Sequence, residues 1–225
     1  RAWTREEEEE DMMRRALARG SVAARAFSTE VQARGAGQYV EHRTTMPMHG
    51  KYPLVAPDAF VAPSAAIVGD VEVGYGSSVW YNAVIRGDKN QVRISSGVSV
   101  GDRASISTVE SLDSGFPATT TISSNVVIGA GASLVSCEVE TDVFIGENAV
   151  VLEGALVEKG AEVGPNSVVP PGRRIPAGEM WSGNPVKFLG PSSGTTAARA
   201  SQEAELAEDH ADEFLPQGTA FWQAK

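Results

Sequence analysis

Side chains able to do chemistry are few in this chain, and where they fall is the first clue. Three histidines (His42, His49, His210) and one cysteine (Cys137) are all the imidazole and thiol in 225 residues. A single cysteine excludes an internal disulfide framework and a multi-cysteine metal centre. Cys137 reads as a small buried residue rather than a redox group. Gly129-Ala130-Gly131 has the look of a phosphate-binding loop but opens no helix, so it does not read as a nucleotide site.

What must position any chemistry is a repeat. From 122 to 175 an aliphatic residue returns every six positions, at Ile122, Ile128, Leu134, Val139, Ile145, Val151, Val157, Val163, Val169 and Ile175, with one step of five. Upstream the beat runs through Val61, Ile67, Val73, Val79 and Ile85, slips three residues, and resumes at Ile94, Val100 and Ile106. The residue four past each aliphatic is small or β-branched, as at Ala65, Val71, Ala83, Ala104, Ala132, Ala149 and Ala161. A period of six fits neither a lone helix nor a two-sided strand, so it belongs to a higher-order repeat. The pattern predicts an all-β solenoid, a parallel β-helix in which each flat face takes one hexad and about eighteen residues close a coil. Hexapeptide prisms are left-handed as a class, against the usual crossover preference, although spacing alone does not give the hand. Glycine just after the beat, at Gly74, Gly101, Gly129, Gly146 and Gly164, is expected to let the backbone turn. The histidines all lie outside the repeat, so acyl transfer with a histidine base beside the coils lacks its residue.

Composition narrows the partners. The net charge is −10, which disfavours nucleic acid, and no apolar run is long enough to span a bilayer, which leaves at most a peripheral place on a membrane. Residues 1–27 read as a transit peptide with an upstream segment: the acidic run Glu6 to Asp11, then an acid-free stretch with Arg14, Arg15, Arg19 and Arg25. Cleavage after Phe27 is expected to leave Ser28 first. Residues 28–52 read as a lead-in, 53–190 as the β-helix and 191–225 as a C-terminal α-helix and tail. Arg86-Gly87-Asp88 and the extra residues to Gln91 are expected to bulge from a corner, and Thr108 to Thr121 forms one long excursion. The last coils are expected to end at Pro170-Pro171-Gly172, with Met180 to Leu189 covering the open end. Ala200, Ala204, Ala207, Ala211 and Phe214 form a narrow stripe that suits close packing on a prism face, and Pro216 stops the helix. Phe221 and Trp222 mark the tail as a docking strip. Trp80 and Tyr81 read as corner packing.

Three stretches carry a resemblance: Val79-Trp80-Tyr81-Asn82-Ala83-Val84-Ile85-Arg86-Gly87-Asp88, Ser167 through Pro170-Pro171-Gly172 to Pro176, and Gly178 through Trp181 to Gly183-Asn184-Pro185. Over about residues 53 to 190 the chain resembles the gamma-class carbonic anhydrases, and more closely their carbonic-anhydrase-like relatives in mitochondrial complex I of plants and algae. Glu213-Phe214-Leu215-Pro216 also looks like that branch. The resemblance implies a trimer whose active members hold zinc with three histidines, the first and third from one chain and the second from its neighbour. At the matching positions this chain has Ser107, Ala130 and Val135, and Gly101 stands where a glutamine normally precedes Asp102.

Those replacements imply a protein with no catalytic residue, metal or cofactor of its own. The expected role is structural or in assembly, as a gamma-carbonic-anhydrase-like subunit of respiratory complex I. It is placed in a homo- or heterotrimer with gamma-carbonic-anhydrase subunits, against the membrane arm at the matrix side of the inner membrane. By the same resemblance Arg86, Asp88 and Asp102 belong to the subunit interface. Three alternatives stand beside this: a carbonic anhydrase completed by partner chains, an acyltransferase with an unfamiliar base, and a module holding bicarbonate or another small anion through Arg86.

Overall fold

The computed structural model describes residues 42–112, 115 and 118–214. The expected transit segment, most of the lead-in and the tail with Phe221 and Trp222 lie outside the described residues. Between Thr45 and Pro191 the described chain is a parallel β-solenoid of three stacked faces.

The first face stacks β3 (Phe60–Val61), β5 (Ser78–Val79), β7 (Ser99–Val100), β10 (Val127–Ile128), β13 (Phe144–Ile145) and β16 (Glu162–Val163). It ends in β19 (Glu179–Ser182) and its antiparallel partner β20 (Lys187–Pro191). The second face takes the opening halves of β4 (Ala66–Val73) and β6 (Val84–Ile94), then β8 (Ser105–Ser107), β11 (Ser133–Val135), β14 (Val150–Val151) and β17 (Val168–Val169). The third takes β2 (Leu54–Val55), the closing halves of β4 and β6, then β9 (Thr120–Ile122), β12 (Glu138–Val139), β15 (Leu156–Val157) and β18 (Arg174–Ile175). A short β1 (Thr45–Met46) pairs with β4 and begins the ladder.

The beat residues form the core. Ile106, Leu134, Val151 and Val169 succeed one another in register through β8, β11, β14 and β17, each fully buried. The small residue four past the beat is buried as well, at Ala65, Ala83, Ala104, Ala132, Ala149 and Ala161. At the slip after Ile85, β6 stays in the ladder and carries its extra residues as a bulge opposite Asp70, where the register shifts between Gly69 and Val71.

The glycines after the beat act differently from the expectation. None of them has positive φ; instead coils approach so closely that a Cβ on Gly101 would lie 2.7 Å from the Ile128 carbonyl oxygen and 2.8 Å from the Ala130 nitrogen. The turn is made two residues later, three past the beat, by Gly76, Asn82, Gly97, Arg103, Asn125, Gly131, Asp142, Asn148 and Asn166, all at φ between 52° and 71°. There the chain forms a β-turn whose third residue must be left-handed, as where Ala83 N–H donates to Trp80 O across Asn82. Pro170 to Gly172 is such a corner, not the end of the coils: β18 and β19 continue the ladder.

The chain then doubles back. Glu162 is buried at 4% exposure and accepts from the Ser192 hydroxyl (3.0 Å), the Ser193 N–H (2.8 Å) and the Ser193 hydroxyl. Beyond this latch, α1 (Thr196–Phe214) crosses β10, β7, β5 and β3 of the first face, burying Ala200 and Ala207. Arg199 lies over the Phe144 ring at 4.3 Å, Glu203 meets the Ser99 hydroxyl at 3.4 Å, and His210 packs on Trp80 and Phe60. The helix therefore runs from the upper coils down to the first.

Burial pushes the Glu162 carboxyl up, but the Ser193 and Ser192 hydroxyls, the Ser193 N–H and nearby Arg199 outweigh it and hold the group below its usual value. A depressed folded-state value means that the latch contributes fully above the unfolded carboxylate range and is lost as pH falls through the folded value. Unfolding titrations should show stability level above about pH 5 and falling below about pH 4. Glu162→Gln should cost about 1–3 kcal/mol near neutrality, with the gap to the parent chain closing in acid.

Candidate functional site

Both edges of the second face carry the residues singled out by sequence. At the edge toward the third face, Arg86, Ser107 and Val135 stack in register on successive coils. At the opposite edge Ala130 sits one coil above Asp102: Gly131 N–H donates to Asp102 O at 2.7 Å, and Asp102 Oδ1 accepts the Tyr81 N–H from below at 3.0 Å. Ala130 lies in the corner turn that precedes β11 and Val135 at the far end of β11, so the three positions singled out by sequence divide two and one between the edges. Alanine and valine have no lone pair and serine offers a neutral hydroxyl, a donor set that does not fit zinc.

Arg86 Nη2 donates to Asp88 Oδ2 at 2.5 Å, with Arg86 57% exposed and Asp88 12%. Burial pushes the Asp88 carboxyl up, but the hydrogen bond and charge of Arg86, with backbone N–H groups, overcome this and hold it below its ordinary value. Asp102 stands at the other edge, so within one chain the three interface candidates form a pair and a separate acid.

Next to Arg86 lies the long excursion. Asn90 Nδ2 donates to the carbonyls of Val109 (2.6 Å) and Glu110 (3.1 Å), while the Ser136 hydroxyl accepts the Val109 N–H (2.8 Å) and donates to Ala118 O (2.7 Å). Ser136 occupies the one five-residue step and sits at φ 38°, a strained value for a residue with a Cβ, which these two bonds offset. Trp80 is buried, with Nε1 donating to Ser99 Oγ at 3.0 Å, and Tyr81 OH meets His210 Nδ1 at 3.1 Å, which bears out corner packing. Cys137 is buried and its thiol is pushed up to about 12 by burial, so it is not a thiolate near neutrality.

The feature that sequence reading missed is the surface of the second face itself. Its outward residues Ala66, Val68, Val84, Ser105, Ser107, Ser133, Val135, Val150, Leu152 and Val168 are uncharged and partly exposed, with Arg86 alone carrying charge at its edge. By contrast the third face presents Glu72, Arg93, Glu138, Glu158 and Arg174, with ion pairs Arg93–Glu72 and Arg174–Glu158, and the first face lies under α1. The signal was available one residue before and one after each second-face beat.

A prism with these corners and flanking helix is a hexapeptide β-helix of the left-handed class. It superimposes on a hexapeptide transferase family protein of Anaplasma phagocytophilum with a TM-score of 0.67 at 28% identity, covering 76% of this chain and 98% of that one. A Bacillus cereus protein assigned to the acetyltransferases gives 0.69 at 30%, covering 75% and 96%. No family model matches the sequence. Gamma carbonic anhydrase 3, mitochondrial, of Arabidopsis thaliana is 47% identical over 180 residues, 78% of this chain and 70% of that protein. Gamma carbonic anhydrase-like 1, mitochondrial, of the same plant is 40% identical over 191 residues, 83% and 76%. The chain belongs to the gamma carbonic anhydrase family. It spans 66% and 63% of the lengths of gamma carbonic anhydrases 1 and 2, mitochondrial, of Arabidopsis.

Proposed function

We propose that this chain is a non-catalytic, gamma-carbonic-anhydrase-like subunit of mitochondrial respiratory complex I, with a structural or assembly role in a trimer on the matrix side of the membrane arm. The observation that carries the reading is the second face. A flat, uncharged, half-exposed surface on a chain of net charge −10 suits a face that another prism covers. Its two edges hold the positions from which the family builds a shared metal site, so a neighbour on this face would bring opposite edges of two chains together. The mitochondrial relatives, both anhydrases and anhydrase-like proteins, support the compartment.

Two measurements test this. The purified chain should carry no stoichiometric zinc and should hydrate carbon dioxide no faster than buffer, because Ser107, Ala130 and Val135 replace the ligands. Affinity capture from mitochondria should bring down gamma carbonic anhydrases with membrane-arm subunits of complex I. Tight equimolar zinc with hydration activity would instead mark an enzyme, and capture without complex I subunits would remove the respiratory assignment.

A further inference from the structure

The three most exposed large hydrophobic side chains among the described residues are Tyr52 (69%), Leu54 (67%) and Tyr75 (65%), and all three belong to the first coils. Leu54 projects from the third face beside Glu72. Tyr75 stands one coil up, at the corner between the third face and the first, stacked above Pro57 because Ala56 N–H donates to Val73 O and Gly76 N–H to Asp58 Oδ2, each at 3.0 Å. Next to that corner, over β3, α1 reaches its last turn, with His210 against Phe60 at 6.4 Å between ring centres.

Past the helix the sequence continues Leu215-Pro216-Gln217-Gly218-Thr219-Ala220-Phe221-Trp222-Gln223-Ala224-Lys225, with two aromatic residues and Lys225 as its one charged side chain. Proline at 216 cannot continue a helix, and α1 ends at Phe214, over the first face beside that corner. Seven residues separate Phe214 from Phe221, a reach of about 23–25 Å, whereas one hexad of a face spans about 20 Å. We propose that Phe221 and Trp222 of the same chain cover Tyr52, Leu54 and Tyr75. Asp58, exposed at the corner under Tyr75, is of opposite sign to Lys225, while Glu72 is already paired with Arg93. The apolar surface of the first coils and the aromatic residues that follow the helix in sequence thus serve one another as cover.

The test uses the full chain. In Phe221→Ser/Trp222→Ser, nitration of Tyr75 and Tyr52 by tetranitromethane, read by mass spectrometry, should run at least about fivefold faster than in the parent, the ratio that local cover worth about 1 kcal/mol gives. In Leu54→Ser/Tyr75→Ser, whose changed residues are exposed and leave the core intact, chymotrypsin should cut after Phe221 and Trp222 faster by a similar factor. Equal nitration rates in parent and variant overturn the proposal. Protection that rises with protein concentration overturns it too, because the occupant is then the tail of a neighbouring copy.

Discussion

One copy of this chain assembled with two copies of a relative that has all three histidines will bind one zinc ion, not three. A trimer has three interfaces, and each site takes two ligands from one edge of a second face and one from the opposite edge of the next chain. Ser107 and Val135 share one edge and Ala130 lies at the other, so both interfaces that include this chain lose ligands, two in one case and one in the other. Loss of even one imidazole from a three-ligand site removes most of the affinity, since the remaining donors leave water in its place. Metal counting on a purified mixed trimer of defined stoichiometry reads the result. Two or three zincs per trimer would show that the edges do not divide as the proposed assembly requires. Restoring the three histidines in this chain should not recover full activity, because the glutamine that normally precedes Asp102 stays absent; nor does it fit in place, since a Cβ on Gly101 would lie within 2.9 Å of the backbone of Ile128 to Ala130.

The second large effect concerns the bare face. Ser133→Asp or Val150→Asp places a carboxylate in the middle of a surface whose one cation, Arg86, lies at the edge and is already paired with Asp88. An unpaired charge buried between chains costs on the order of 3–5 kcal/mol, a loss of association of about a hundredfold or more at each interface. Size-exclusion chromatography should show subunits in place of trimers, while circular dichroism and melting of the single chain stay unchanged, because both residues point away from the core. Thr121→Asp on the charged third face is the matched control and should leave assembly intact. An unaltered trimer in the Ser133 and Val150 variants would mean that a different face joins the subunits.

Much of this architecture could be read from residues in a row. A six-residue beat fixes which side chains stack, because inward positions repeat with the coil, and the burial of Ile106, Leu134 and Val151 comes from that alone. The alanine stripe likewise announced a helix lying flat on a prism. Two points were harder. Glycine is needed both for left-handed turns and for close backbone contact, and composition does not separate the uses; only the neighbouring coil shows that Gly101 serves contact while Asn82 and Gly131 make turns. Pairings between coils were the other. Arg86 and Asp88 are two residues apart and visibly a pair, but that Asp102 belongs to the opposite edge depends on how far the chain travels along a face. His210 shows the same limit, since its contact with Tyr81 joins positions 129 apart.

The return of α1 across the first face has a consequence for how the molecule comes apart. Stacked coils touch only their neighbours, so an open solenoid can fray from either end, one rung at a time. Here the Glu162 latch grips the upper coils and His210 grips the lowest, with the helix spanning the rungs between them. Neither end can peel away while the helix is down. In amide exchange, the terminal rungs should therefore open together with the middle ones, as hoops do when bound by a single stave.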